Sequence, residues 1–321
     1  MSRRYTTGRA ADAPSDGAGD VASRWRQALA TLHTWRRGDQ RAPHKPLLLL
    51  MLLARAETGG DGHVRFAELE PKLRELLRDF GPPRKSHHPE YPFWHLQGDG
   101  LWVVADAGAY PLKQGGSSPT RTALLTRDAE GFVPAELWRA LQKDATLRRD
   151  VAATLLDGFW PSTYHASIRK AVGLPDELHG LDTIVGARRK RDPDFREAVL
   201  RAYERRCAVC GYDGQLGGVP LGLEAAHIQW HACDGPDEIA NGLALCSFHH
   251  VALDTGALGL TDDRRVRISS DVHGQTLVPE LLHRHAGAPL RAPQPGVPLP
   301  AEVHIAWHGR EVFRAPARPA T

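Results

Sequence analysis

Apolar positions along the first half of the chain follow a helical period that breaks at a few defined points. In residues 23–32 they recur at Trp25, Leu29 and Leu32, the spacing of one helix face. Residues 47–53 are apolar all round and follow Pro43 and Pro46, which predicts a helix buried on every side. Phe66–Phe80 puts Leu69, Leu73, Leu76, Leu77 and Phe80 on one face, a second amphipathic helix. The period then stops. Residues 81–100 interleave prolines with basic and aromatic residues, and the prolines argue against a regular helix. Phe93, Trp94 and Leu96 read as the start of a core strand that turns at Gly98-Asp99-Gly100 into residues 101–104. Residues 134–156 are again helical in pattern, Phe159-Trp160-Pro161 breaks them, residues 164–172 resume, and Gly173-Leu174-Pro175 closes the unit.

The second half is patterned differently. Residues 194–206 form an amphipathic helix, with Phe195, Val199 and Tyr203 on one face and Asp192 or Asp194 as its cap. It runs into Cys207. Residues 223–228 are strand-like and contain His227; after a loop of Gly, Pro and Asp come Asn241 to Cys246, and then a helix from His249. The tail beyond Leu290 is rich in Pro and Ala, with residues 303–307 as one short strand. The expected class is therefore α+β. It comprises a tail (1–22), a mixed helical and strand domain (23–175), a basic linker (176–192) and a C-terminal domain (193–321) with a Pro-rich extension.

Composition narrows the function classes. Hydrophobic residues at 41% and charged residues at 25% are ordinary for a globular protein. The formal charge of +3 is too small to argue for nucleic acid, but its distribution is uneven. Arg188, Arg189, Lys190 and Arg191 are consecutive, and Arg24, Arg26, Arg36, Arg37 and Arg41 cluster near the start; such runs suit a phosphate backbone as well as a solvated face. No apolar run approaches the roughly 18 residues that a membrane helix needs, and no apolar segment follows the N-terminal arginines to make a secretory signal. Four cysteines in 321 residues are too few for a disulfide scaffold, so a reducing, cytoplasmic location is expected.

The cysteine spacing carries the strongest chemistry. Cys207-x2-Cys210 and Cys246-x2-His249 are two knuckle pairs, each offering two ligands at about 2.0–2.3 Å to a tetrahedral metal, and they predict a structural Zn²⁺ site. Cys233 has no partner at knuckle spacing and is expected not to ligate.

The motifs in between (CAVC, EAAHI, NGLALC and SFHHVALD) resemble the HNH, or ββα-metal, nucleases in order and spacing. That resemblance implies a metal-dependent DNA endonuclease. Hydrolysis of a phosphodiester needs a base, a cation for the charged transition state and a route for the leaving oxygen. The family pattern makes His227 the base, His250 a ligand of a catalytic divalent cation such as Mn²⁺ or Mg²⁺, and Asn241 the residue that orients the base or its loop. Many relatives carry an acid immediately before the first histidine. Here that position is Ala226; the nearest acid is Glu224, with Asp254 as an alternative second ligand or a helix-surface residue.

The first domain resembles a second family, the sulfur-binding domains of phosphorothioate-dependent type IV restriction endonucleases. The resemblance rests on Ala42-Pro43-His44-Lys45-Pro46, on residues 88–94 (HPEYPFW), on Asp99-Gly100-Leu101-Trp102 and on Trp160-Pro161-Ser162-Thr163. It implies double-stranded, phosphorothioate-modified DNA as the partner. Bases and rings suited to such a contact are Arg84, Lys85, His87, His88, Tyr91, Pro92, Trp160, Pro161 and His165; core anchoring is the alternative for Trp160 and Trp94, and the preferred reading for Trp94. Two other readings compete: an HNH nuclease for methylated or unmodified DNA, and a zinc DNA-binding protein that does not cut. A methylated-base reader would need an aromatic cage, and aromatics are only 7%. Cutting both strands requires two active sites or two events, which a homodimer would satisfy.

Overall fold

The computed structural model describes residues 16–34, 39–175 and 193–320. The basic linker and most of the expected N-terminal tail lie outside the described residues, as do Arg36 and Arg37, although the first helix already begins at Asp16.

Helices α1 (Asp16–Ala30), α2 (His44–Glu57) and α3 (Phe66–Phe80) match the three helical patterns of the first domain. α2 is central: Leu47, Leu48, Leu49, Leu50, Leu52 and Leu53 are each at most 2% exposed, so a helix without a polar face is surrounded by others. Its neighbours include α6 (Ala135–Lys143), α7 (Ala145–Phe159) and α8 (Ser162–Val172). The Asp144 carboxylate starts α7 by accepting from the N–H groups of Thr146 and Leu147. A small antiparallel sheet of β1 (His63–Arg65), β3 (Glu130–Phe132) and β2 (Val103–Val104) closes one side. In β3, Gly131 leaves room for the indole of Trp102, which would lie 2.1 Å from any Cβ placed there.

Two motifs of this domain are tied together by charge. Lys45 Nζ reaches Asp99 Oδ2 at 2.6 Å and the His33 carbonyl at 2.6 Å, and the Asp99 side chain is 1% exposed. His44 beside it is half-buried, and lost hydration with neighbouring His88 and His87 lowers its pKa to about 4, so it is neutral at physiological pH.

Residues 93–96 correct the expected strand. Glu90–His95 is a short helix, α4, and α5 (Arg121–Thr126) follows later in the domain. Pro89 precedes α4 and Pro92 sits in its first turn, where backbone N–H groups have no intrahelical acceptor, so neither proline costs a hydrogen bond.

The second domain begins with α9 (Pro193–Ala202), and the hairpin of β4 (Gln215–Leu216) and β5 (Val219–Pro220) leads into β6 (Leu223–His227). β6 pairs antiparallel with β7 (Gly242–Cys246), His227 opposite Gly242 and Leu223 opposite Cys246. α10 (Ser247–Asp254) follows, then the pair β8 (Leu258–Leu260) and β9 (Val266–Ile268), α11 (Val278–Leu281) and α12 (Glu302–Glu311).

α12 replaces the strand expected at 303–307. Its inward face is His304, Ile305, Trp307, His308 and Glu311, a helical spacing built largely from polar residues. A hydrophobicity pattern sees only Val303, Ile305 and Trp307, which alternate, yet Val303 is 62% exposed.

The C-terminal segment joins the domains. Trp230, Trp307 and Val312 belong to the buried cluster of the first domain. Glu311 is fully buried and accepts both Arg84 Nη2 contacts, at 2.7 and 2.8 Å, and the Arg41 N–H. The Arg41 guanidinium lies 4.4 Å from the centre of the Trp230 ring and donates to the Glu311 carbonyl. Arg314 donates to the carbonyls of Arg78 and Asp79.

Candidate nuclease site and DNA-facing surface

The β6–β7 hairpin and α10 carry most of the expected site residues of the second domain. At one end, Cys207, Cys210, Cys246 and His249 converge, their four donor atoms within 4.8 Å of one another. A tight turn places the first pair: Cys207 N–H donates to the Tyr212 carbonyl, and Gly211 adopts a φ of +77° that favours glycine. The second pair straddles the start of α10, with His249 Nδ1 3.1 Å from Cys246 Sγ. His249 Nε2 lies 2.8 Å from the Leu281 carbonyl; donating its proton there leaves Nδ1 free for a metal. The thiols lie close enough to share one proton: hydrogen bonds from Cys210 and Cys246 lower Cys207, and the same contacts raise Cys246. Three sulfurs and an imidazole in this arrangement have the chemistry of a tetrahedral structural site. Cys233 is not in the group and packs instead against the first domain's core.

At the other end of β6, His227 is held on three sides. Its ring stacks on Phe195 of α9 at 4.2 Å and 18°. Its Nε2 lies 2.7 Å from Asp237 Oδ1. His231 is 5.8 Å away, ring centre to ring centre. The stack depends on Gly242 across the ladder, since a Cβ there would lie 2.4 Å from Val199 and 3.2 Å from the Phe195 ring. Asp237 was not visible in the sequence, because nothing in its loop spacing distinguishes it from a solvated acid.

Asn241 is fully buried and does not touch a reacting group. Its Oδ1 accepts from the Gln229 N–H at 2.8 Å, and its Nδ2 donates to the carbonyls of Gln229 and Pro236, each at 3.0 Å. It clamps the loop that leaves His227 and carries Asp237, using an amide's capacity to donate and accept at once.

His250 stands between two carboxylates. Its Nδ1 is 2.5 Å from Glu224 Oε2, and its Nε2 is 3.4 Å from Asp254 Oδ2. His250 and Ser247 hold the Glu224 carboxyl below its ordinary range. Glu224 is the more open of the two acids, at 44% side-chain exposure, while Asp254 is 2% exposed and so is not a helix-surface residue.

Residues 22–177 match the family model described as "ScoMcrA-like, DNA sulfur-binding domain", and residues 207–261 match that of the HNH endonucleases. The chain carries a DNA sulfur-binding domain and an HNH endonuclease domain.

Among solved structures, the sulfur-binding domain of ScoMcrA complexed with phosphorothioated DNA aligns at 23% identity over 48% of this chain and 97% of that one, with a TM-score of 0.43. ScoMcrA itself, a type IV phosphorothioation-dependent restriction endonuclease, aligns at 21% identity over 62% of this chain and 34% of that one, with a TM-score of 0.41. The modification-dependent TagI restriction endonuclease aligns at 30% identity over 37% of each chain, with a TM-score of 0.29. No curated protein matches this chain.

In the sulfur-binding domain the residues suited to DNA separate into two sets. Trp160 is buried, its indole donating to the Phe80 carbonyl, the place of a core anchor; His165 is half-buried, with its Nε2 3.1 Å from the Trp160 carbonyl. Arg84 is engaged by Glu311 in the HNH domain. Near the start of the chain, Arg24 pairs with Glu136, Arg26 with Asp150, and Arg41 is buried, so these arginines form no common phosphate-facing patch. The other set remains outward. Lys85 is exposed, and His87 has Arg314, Arg78, His88 and Arg74 as charged neighbours. His88 stacks on Tyr91 at 4.8 Å, and Lys113 Nζ lies 4.5 Å over the same ring while also pairing with buried Glu90. Pro92 is buried behind Tyr91, and Pro161 is half-buried ahead of α8. Lys113 was missed in the sequence because it is 22 residues from Tyr91.

Among the described residues no helix is long and apolar enough to cross a membrane.

Proposed function

We propose that this chain is a restriction-type endonuclease that binds phosphorothioate-modified double-stranded DNA and hydrolyses phosphodiester bonds nearby. The observation that carries the reading is the presence, in one chain, of a sulfur-binding domain and an HNH domain whose histidines have the partners hydrolysis needs.

His227 is the general base. The Asp237 carboxylate fixes the ring through Nε2 and stabilises the imidazolium that forms when His227 takes a proton from water. Phe195 and the Asn241 clamp keep ring and loop in place. Glu224 and His250 would hold a divalent cation, and a carboxylate with an imidazole fits Mn²⁺ or Mg²⁺. Such a cation, when bound, polarises the phosphate and stabilises the leaving oxygen. The Cys207, Cys210, Cys246 and His249 set fits Zn²⁺.

Discrimination of sulfur from oxygen falls to the surface around exposed Tyr91. A non-bridging phosphate oxygen is strongly hydrated, so placing it against ring carbon is costly, whereas sulfur is larger and more weakly hydrated. Lys85, His87, His88 and Lys113 add affinity that does not depend on sequence. Cysteines held for metal and a DNA substrate fit a reducing, cytoplasmic setting, and a homodimer would supply one site per strand. The test is a gel assay of duplexes with and without one phosphorothioate, in Mn²⁺, Mg²⁺ and EDTA. Cutting confined to the modified duplex and abolished by EDTA is expected; metal-dependent cutting of both duplexes alike would leave the nuclease and remove the sulfur specificity.

A further inference from the structure

The contact between the two domains reaches the nuclease site itself. Trp160 anchors the turn into α8, and the first turn of α8 enters the HNH domain. Tyr164 is buried there, its ring 5.7 Å from that of Trp230 in an edge arrangement. Beside it, the Thr163 hydroxyl donates to Asp254 Oδ2 at 2.7 Å. The same oxygen is the one 3.4 Å from His250 Nε2, one helical turn away on α10.

We infer that Thr163, a residue of the sulfur-binding domain, is a positioning residue for the nuclease site, holding the Asp254 carboxylate that orients His250. The inference rests on the reading of Glu224 and His250 as holders of the divalent cation. An imidazole that ligates a metal commonly gives its other N–H to a carboxylate, which fixes both tautomer and ring angle. Asp254 is placed for that role on Nε2, leaving Nδ1 toward Glu224. It is therefore an orienting residue and not a second ligand. A buried carboxylate needs donors of its own, and Thr163 supplies one from across the domain boundary. Recognition and cutting domains are thus coupled by a hydrogen bond as well as by DNA: an HNH domain whose partner domain is displaced loses a support of its metal-ligating histidine.

The test uses the full-length, zinc-loaded protein and Thr163→Val, Thr163→Ser, Asp254→Asn and His250→Ala variants. Mn²⁺ affinity is read from the electron paramagnetic resonance of free Mn²⁺, alongside affinity for a phosphorothioate duplex, thermal midpoint and cleavage rate. Loss of an outer partner of a metal-binding histidine costs about 10–100-fold in metal affinity, so Asp254→Asn should fall in that range and Thr163→Val, one step further out, by ~3–10-fold. Duplex affinity and thermal midpoint of Thr163→Val should match wild type, and Thr163→Ser, which keeps the hydroxyl, should restore Mn²⁺ binding. Wild-type Mn²⁺ affinity in Thr163→Val, or no recovery in Thr163→Ser, overturns the inference. Mn²⁺ binding that survives unchanged in His250→Ala overturns instead the cation site on which it rests.

Discussion

Asp237 Oδ1 lies 2.7 Å from His227 Nε2, although the two are ten residues apart and separated by a loop. The pairing fixes the direction of the imidazole and, on the proposed reading of His227 as the base, stabilises its protonated form. Asn241 makes the pairing possible by pinning both Gln229 and Pro236, the flanks of that loop.

Two substitutions separate these roles. His227→Ala should abolish cleavage while leaving zinc content, thermal midpoint and duplex affinity unchanged, because the base is needed only for chemistry. Asp237→Asn should retain the fold but lower kcat by about 100-fold or more, since the amide no longer stabilises the imidazolium. Residual cleavage by His227→Ala above a few percent of wild type would remove it from the base role.

Metal removal should unfold the HNH domain and spare the other. Apparent binding energies of about 10–16 kcal/mol make structural zinc part of folding, so Cys207→Ser or Cys246→Ser should lose zinc and the domain's cooperative transition. Cys233→Ser should retain both. Calorimetry with zinc quantification checks this, and the opposite ranking of Cys233 and Cys246 would refute the ligand set.

The domain joint has an electrostatic centre. Glu311→Ala removes the carboxylate shared by the Arg84 guanidinium, Arg310 Nε and the Arg41 backbone N–H. The loss should be smaller than the about 3–5 kcal/mol of a fully buried pair, because the Arg84 side chain is 35% exposed and can turn to water. Loss of a single unfolding transition in favour of two is the expected result; an unchanged melt would show the joint to be held by apolar packing alone.

Acid should weaken the protein through buried His308 and half-buried His44. Burial lowers His44 and His308 to about 4 from 6.5, and His308 Nε2 is bonded to the Leu253 carbonyl. Above 6.5 both states are neutral and nothing is lost; between 6.5 and 4 the unfolded chain takes up protons that the folded one refuses, so stability falls with pH. Each histidine contributes about 1.4 kcal/mol per pH unit across that window. His308→Gln, which can still donate to Leu253, should flatten the pH profile of the melting temperature; a profile parallel to wild type would exclude His308 as a source.

Sulfur recognition is tested with His227→Ala, which can bind without cutting. Tyr91→Ala should lower the preference for a phosphorothioate over its oxygen duplex, and Lys113→Ala should weaken both alike while reducing the salt dependence. One phosphorus stereoisomer should be preferred, because a surface on one side of the backbone meets one non-bridging atom. Equal binding of sulfur and oxygen duplexes by the parent protein would remove the sulfur reading and leave the nuclease.

Much of this protein was legible in the residues because its signals are local. Knuckle spacing brought out the metal cluster, since two ligands within one turn are fixed by the chain itself. The apolar run of α2 announced a helix enclosed by others, and the periodicity of α3 its inward face. Local pattern misled where buried residues were polar: α12 turns His304, His308 and Glu311 inward, so its period is invisible to hydrophobicity and only alternating Val303, Ile305 and Trp307 remain. Prolines misled at α4, because their cost depends on which turn they occupy.

What the chain alone determined, then, is the set of candidate groups and their order: two knuckle pairs, the two histidines and the asparagine of the HNH motif, and a sulfur-binding domain ahead of them. Tertiary structure decided their partners. Asp237 was matched to His227, Glu224 and Asp254 to opposite nitrogens of His250, and Thr163 to Asp254 across 91 residues. Arg84, still exposed, was paired with Glu311, and Trp160 was buried against the Phe80 carbonyl. The physical reason is common to all of them. A side chain's role depends on which acceptor or donor shares its few ångströms of space, and that neighbour comes from a distant segment brought near only when the apolar faces on either side are buried together.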